Sequence, residues 1–292
     1  MRYLADKKIG VIGLGNMGGA VINGLLSSGA VKRTGVIGFD NDAAKRVVAV
    51  KKYGILATRS IIETASHCDI VILAVKPQNI DEVLREVSSY GKGRLYISIA
   101  AGIKTRRIEK ALSGILRPRV IRVMPNTPAL VGEGISALCK GKYATAKDLK
   151  AADEIFSSVG ETVNLNERYF DLVTAVSGSG PAYFFYFKEA LIEAAVRLGM
   201  DKATAKRLVS KTALGAARLL IESGHEPGVL RQRVTSKGGT TERAIKVFDS
   251  AGMKKIVEKA VTAAARRSRS CSISARAARA TATSPPEYSA PD

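Results

Sequence analysis

Two kinds of hydrophobic patterning divide the chain. Up to about residue 165, short unbroken apolar runs alternate with stretches whose apolar positions recur every three or four residues. The runs KIGVIGLG, GVIGFD, DIVILAV, RLYISIA and RVIRVMPN read as buried strands. Between them, GGAVINGLLSSG closes at Gly29 and DAAKRVVAVKKYG closes at Gly54, as helices do. Strands alternating with helices predict a mainly parallel sheet covered on both faces.

From about residue 166 the strand pattern stops. GPAYFFYFKEALIEAAVRLG reads as one long helix with Pro181 near its first turn and Gly199 at its end. Asp201 caps KATAKRLVSKTALGAARLLIES, a helix about 30 Å long. TERAIKVFDS and MKKIVEKAVTAAARR follow as two more helices. These helices carry more Ala, Leu and Val than one core-facing stripe requires, which predicts burial in a partner subunit. Beyond Arg267 the chain is rich in Ser, Ala, Arg and Pro with no apolar period, so residues 268–292 are expected to be a disordered tail. The predicted organisation is α/β. A layered domain of parallel strands and helices spans 1–165, and an all-α domain spans 166–267.

Charge and cysteine content narrow the function classes. The net charge is +20, spread as +11 over residues 1–165, +6 over 166–265 and +3 beyond. No single arm carries the excess, so a localised nucleic-acid footprint is not expected. Cys68, Cys139 and Cys271 are far apart, without metal-ligand or CxxC spacing. They read as reduced intracellular thiols with no catalytic part, and no metal site is predicted. No apolar signal core is visible, and IVILAV is far too short to span a bilayer. A soluble, cytoplasmic protein without membrane contact is expected.

The clearest chemistry lies in GLGNMG, which fits G-x-G-x-x-G between a strand and a helix. Gly13 permits the tight turn, Gly15 admits a pyrophosphate to the backbone, and Gly18 lets helix and strand pack closely. Asn16 and Met17 supply backbone at the helix N-terminus, where the pyrophosphate rests. Asp40, ending GVIGFD, falls where the adenosine ribose is met, and its carboxylate would repel a 2′-phosphate. Lys45 and Arg46 soften that repulsion. The cofactor is therefore NADH or NADPH, with a lean to NADH. Asp40 also reads as a helix cap.

Six segments, KIGVIGLGNMGGA, AVKPQ, SIAAGI, VIRVMPNTPALVGEG, AVSGSGPAYFF and SKGGTTERA, follow in an order and spacing that resemble the pyrroline-5-carboxylate reductases. The resemblance runs from about Lys8 to about Arg267. It implies NAD(P)H-dependent reduction of 1-pyrroline-5-carboxylate to L-proline, the last step of proline synthesis. It also implies that 1–165 is a Rossmann-type NAD(P)-binding domain and 166–267 an all-α dimerisation and substrate domain interleaved with a second subunit, giving a homodimer and often a ring of dimers. Two positions depart from the family pattern. Gln232 stands where an acidic residue is common, and Lys237 replaces a proline.

Under that resemblance, backbone N–H groups from Ser236 to Thr241 form a carboxylate site at a helix entrance. Gly238 and Gly239 let the backbone approach, and Thr240 adds a hydroxyl. Ser236 and Thr241 are the catalytic candidates. The resemblance assigns Thr241 the hydrogen bond to the imine nitrogen, where it orients the imine and relays a proton from water. Ala74, Val75, Lys76 and Pro77 end a strand at the carboxyl edge of the sheet, where ligands of such sheets bind. Lys76 reads as structural or electrostatic rather than as a general acid. Ala100, Ala101 and Gly102, with Asn126 and Thr127, should line the nicotinamide. Ser177, Gly178 and Ser179 should border the substrate. His67 and His225 read as surface residues.

Two rival readings stand beside this one. A β-hydroxyacid dehydrogenase would need a lysine base on the helix after the SGSGP segment, but aromatics fill that place and Lys188 comes a turn too late. A nucleotide-sensing or nucleic-acid-binding Rossmann protein would suit the charge, and the intact SKGGTTE segment argues against it.

Overall fold

A computed structural model describes residues 3, 4, 6–89 and 93–280, with side chains up to 270. It comprises two compact units. Met1–Gly178 and the chain from Ala264 form one; Ser179–Ala263 form the other.

The first unit is built on eight strands: β1 (Ile9–Ile12), β2 (Val36–Phe39), β3 (Leu56–Ala57), β4 (Ile70–Leu73), β5 (Leu95–Ser98), β6 (Arg119–Met124), β7 (Gly134–Lys140) and β8 (Gly160–Asn164). Their spatial order is β3-β2-β1-β4-β5-β6-β7-β8. Every neighbouring pair is parallel except β6 and β7. The first six strands follow the doubly wound order, in which the strand order reverses between β1 and β4 and opens a crevice at the carboxyl edge. β1, β2, β4 and β5 are buried along their whole length. That explains their unbroken apolar character, since helices cover both faces.

The period of two along each strand sorts the core into two layers. Ile9, Val11, Ile72 and Ile97 meet α1 (Asn16–Ser27) and α6 (Ala146–Ser157). Ile12, Val71, Leu73 and Tyr96 meet α3 (Ile61–Ser66), α4 (Ile80–Ser88) and α5 (Thr105–Ala111). Local signals end the helices as expected. Asp42 caps α2 (Ala43–Tyr53) through Ala44 N–H, and Gly54 closes it in the left-handed region. Thr145 and Asp148 form a reciprocal capping box at the start of α6.

The first unit runs past the expected boundary at 165. Phe170, opening α7 (Phe170–Val173), is fully buried against Ala137 and Cys139 of β7. A π-helical turn over Thr174–Gly178 follows it. The connector is thus pinned against β7, the strand antiparallel to β6, which the apolar runs did not reveal.

The second unit contains α8 (Gly180–Arg197), α9 (Lys202–Ser223), α10 (Pro227–Arg233), α11 (Thr240–Ser250) and the start of α12 (Met253–Ala280). Asp201 caps α9 by accepting from the backbone N–H of Ala203 and Thr204. α8 packs on α9, and Phe187 stacks tilted against Phe248 at 6.1 Å. The single chain leaves α8 largely unburied: Phe184, Phe185 and Tyr186 are 77%, 67% and 74% exposed.

The expected disorder from 268 differs from the structure, where α12 continues to Ala280. Ser268 is buried and its hydroxyl donates to Asp171 Oδ1 at 2.8 Å, while Arg269 Nε lies 3.7 Å from Asp171 Oδ2. Polar anchoring replaces the missing apolar stripe. Residues 281–292 lie outside the described residues.

Candidate active site

The loop between β1 and α1 is shaped by backbone crowding. Gly13 has φ +102°, a left-handed value that glycine tolerates. A Cβ added there would lie 2.5 Å from the Ala74 carbonyl oxygen, at the end of β4. One added at Gly18 would overlap the Gly13 carbonyl oxygen. One added at Gly15 meets nothing within 4 Å, so the loop is open on that side. Gly15 caps α1 without a side-chain hydrogen bond, and the first turn holds no acidic residue. The helix therefore presents orphan N–H groups and the positive end of its dipole to the open side of the loop, which suits a pyrophosphate.

Asp40 closes this loop from the end of β2. Its Oδ2 accepts the Leu14 N–H at 2.8 Å and its Oδ1 accepts the Asp42 N–H at 3.0 Å. Lys45 Nζ stands 3.8 Å from Oδ1, and the carboxylate is only 13% exposed. The Arg46 guanidinium donates to the carbonyl oxygens of Asp40 and Asn41, and it lies 5.9 Å over the Phe39 ring. Asp40 thus holds the glycine loop in place, with two cations beside it.

The remaining cofactor candidates share the same carboxyl edge. Ala74 follows β4 and donates its N–H to Ile12 O, and Val75, Lys76 and Pro77 continue from it. Lys76 is exposed. Ala100, Ala101 and Gly102 follow β5, with Ala100 N–H bonded to Ser98 Oγ at 3.3 Å. Ala100 and Gly102 are buried, so Ala101 is the least covered of the three. Asn126 follows β6 and is buried, whereas Thr127 is exposed. Ser177 and Gly178 end the π turn in the same unit, and Asn126 Nδ2 donates to Ser177 Oγ at 3.4 Å.

The other unit carries Ser179, the cap of α8, and the segment Ser236–Thr241. Gly238 has φ +74° and turns the chain into α11, whose cap is Gly239. Gly239 N–H is used by the Ser236 carbonyl at 3.0 Å. Glu242 Oε2 accepts the Gly238 N–H at 2.7 Å, and Oε1 pairs with Lys246 at 3.2 Å. These bonds hold the Glu242 carboxyl below the usual carboxylate range, the Gly238 N–H first and Lys246 second. A native carboxylate thus already sits on one N–H of the candidate anion site.

Three contributors escaped the sequence reading. Glu242 is one; its signal is an acid at the third helical position after a glycine cap. Arg122 and Glu167 are the others. Glu167 accepts from Thr105 N–H at 2.8 Å, from Thr105 Oγ1 at 3.1 Å and from Arg122 at 3.2 Å. Arg122 also lies 4.6 Å over the Phe170 ring. This buried cluster ties α5, β6 and the connector together. Its one sequence signal is an arginine inside the apolar run of β6.

Burial pushes the thiols of Cys68 and Cys139 up to about 12, so neither is a thiolate nucleophile. His67 and His225 are exposed. Among the described residues no group of three or more His, Cys, Asp or Glu could hold a metal ion, and no helix is long and apolar enough to cross a membrane.

Strand order, glycine cradle and helix entrance define a Rossmann-type oxidoreductase that uses a nicotinamide dinucleotide. Residues 8–102 match the family model for NADP oxidoreductase, coenzyme F420-dependent, and residues 167–271 match that for pyrroline-5-carboxylate reductase dimerisation. The chain is 41% identical to the pyrroline-5-carboxylate reductase of Pseudomonas aeruginosa, over 91% of this chain and 97% of that protein. Among solved structures it is similar to the Coxiella burnetii pyrroline-5-carboxylate reductase, with TM-score 0.85, 37% identity, and coverage of 91% of this chain and 98% of that one. It is also similar to the Plasmodium falciparum pyrroline carboxylate reductase with NADP bound, with TM-score 0.83, 32% identity, and coverage of 92% and 99%. The chain belongs to the pyrroline-5-carboxylate reductase family.

Proposed function

We propose that the protein reduces 1-pyrroline-5-carboxylate to L-proline with NAD(P)H, the last step of proline synthesis. The observation that carries this is 41% identity, over nearly the full length, to a reductase of that name, with both glycine-rich helix entrances intact. In the reaction the C=N bond gains a hydride at carbon and a proton at nitrogen. The bound dinucleotide supplies the hydride.

The chain's own residues bind and orient. Gly13, Gly15 and Gly18, with Asn16 and Met17, would cradle the pyrophosphate. Ala74 to Pro77, Ala100 to Gly102, Asn126 and Thr127 would border the ribose and nicotinamide. Gly238, Gly239 and Thr240 would receive the substrate carboxylate, with Ser236 as a further donor, and Ser179 would border the ring. Thr241 would hold the imine nitrogen by a hydrogen bond and pass it a proton from water, since a hydroxyl is too weak an acid alone. Much of the rate would come from holding two reactants in register.

For the cofactor, the carboxylate of Asp40, with both oxygens already accepting backbone N–H groups, supports use of both forms. Its carboxylate still opposes a 2′-phosphate, while Lys45 and Arg46 attract one. We set the preference at about threefold for NADH in kcat/KM, under 1 kcal/mol. Asp40→Ser should raise NADPH use relative to NADH by about the same factor, and an unchanged ratio would show that Asp40 only holds the loop. The unburied aromatic face of α8 supports a homodimer through the helical unit, with a ring of dimers as the larger assembly. A cytoplasmic setting accords with the absence of a spanning helix among the described residues.

The test is dinucleotide oxidation with 1-pyrroline-5-carboxylate, with L-proline identified as product. Turnover of a 3-hydroxy acid without turnover of the imine would support the rival dehydrogenase instead.

A further inference from the structure

The π turn at Thr174–Gly178 and the end of β6 form a hydrogen-bond relay with a fixed direction. Asn126 is 9% exposed and its amide has two different ends. The Ile135 backbone N–H, which can only donate, lies 2.9 Å from one of them. That end must therefore be the carbonyl oxygen, Oδ1. The NH2 end then faces Ser177 Oγ at 3.4 Å and donates to it. Ser177 Oγ meets no other partner among the described residues. It lines an apolar hollow with Ile135, Val173 and Val176, where the one other hydroxyl, that of Tyr169, accepts from Arg168 at 2.7 Å. A hydroxyl that accepts from an amide and donates to no described partner keeps its proton free to donate outward.

Which acceptor would that proton meet? Ser177 and Asn126 belong to the unit that carries the glycine cradle. Asn126 follows β6, on the far side of the β1/β4 switch point from the adenosine end at β2. That is the side on which a dinucleotide lays its nicotinamide. In the function proposed above, the substrate carboxylate is taken by the α11 entrance, and a protonated imine nitrogen can only donate. The acceptor left over is the carboxamide oxygen of the nicotinamide. We propose that Ser177 donates a hydrogen bond to this oxygen, and that Asn126 is the positioning residue that keeps the Ser177 proton turned outward. Ser177 thereby recognises the cofactor rather than the substrate. The turn is suited to this, because π turns re-aim a single side chain out of helical register.

The proposal rests on the dinucleotide reading, and its test does not depend on turnover. Dissociation constants are measured by calorimetry for the reduced dinucleotide that wild type binds more tightly. They are measured also for the matching ADP-ribose, with or without its 2′-phosphate, which lacks the nicotinamide. Ser177→Ala should weaken the dinucleotide about tenfold and leave ADP-ribose unchanged. Asn126→Asp keeps an oxygen for Ile135 N–H, but its second oxygen accepts the Ser177 proton and turns it inward. It should weaken the dinucleotide by a similar factor, and the double variant should bind no worse than either single one. Additive losses, or equal weakening of ADP-ribose, would overturn the relay. Unchanged dinucleotide affinity in Ser177→Ala together with a raised substrate KM would place Ser177 on the substrate instead. If Asn126→Asp does not fold, Ser177→Ala alone decides, since it removes a single oxygen. Failure of wild type to reduce the imine while these binding results hold would reject the proposed substrate and keep the relay.

Discussion

The two glycine-rich helix entrances look alike on paper and differ in kind. At Gly13–Gly18 two of the three glycines are demanded by other backbone: a Cβ on Gly13 would press on Ala74, and one on Gly18 on Gly13 itself. The loop is also clamped by Asp40 through Leu14 N–H. At Lys237–Thr241 an added Cβ on Gly238 meets nothing within 4 Å, and one on Gly239 meets Ser236 first, its Oγ at 2.5 Å. The first entrance has no acidic residue in its first turn, whereas the second holds Glu242 there. One is a rigid cradle left open for an anion. The other is a loose turn that already contains one. A rigid cradle suits a large cofactor with a fixed pyrophosphate. A loose turn suits a small substrate that must displace or share a contact.

Breaking the first entrance should have the largest effect. Gly18→Val forces a side chain into the Gly13 carbonyl, an overpacking cost of about 1–3 kcal/mol or more. Dinucleotide binding should vanish by calorimetry, and retained wild-type affinity would mean that the loop is as soft as its counterpart. Thr241→Ala comes next. It should lower kcat about a hundredfold, the lower end of what a positioned proton-transfer group contributes, with dinucleotide affinity unchanged. Wild-type turnover in single-turnover kinetics would remove Thr241 from the chemistry. Gly239→Val should raise the substrate KM more than about tenfold. The nearest atoms an added side chain meets there belong to the turn at Ser236, so the fold should survive and the dinucleotide dissociation constant should hold within about twofold. An unchanged KM would dispose of the carboxylate site.

Glu242→Gln sharpens the contrast with the smallest effect. The introduced amide oxygen can still accept from Gly238 N–H, but the competing negative charge is gone. The substrate KM should fall by about two- to threefold at neutral pH, the scale of a charge at an exposed helix end. The Glu242 carboxyl is held below its ordinary range, so its charge is present at neutral pH and is lost only as pH falls through that lowered value. The difference between variant and wild type should therefore shrink in acid. A difference that is constant with pH would mean that Glu242 acts by shape alone.

What the chain's order of residues settled by itself was local. Unbroken runs such as IVIL require cover on both faces, so they predict strands inside a layered sheet before any partner is known. The G-x-G-x-x-G spacing carries its own turn, and Asp201 caps α9 from one residue away. The resemblance of six segments then located the helix entrance at Gly239. Contacts between distant residues were decided only on folding, because they carry no period. Glu167 meets Thr105 across 62 positions, and Ser268 meets Asp171 across 97. The second contact turns an expected loose tail into helix, since one buried hydroxyl and a neighbouring arginine can hold a segment that has no apolar stripe. Asp40 shows the same limit at the site itself. Its place at the end of β2 was legible, but its two oxygens being taken by Leu14 and Asp42 followed from how closely strand and loop approach. A carboxylate's neighbours, not its position in the chain, set what it is free to bind.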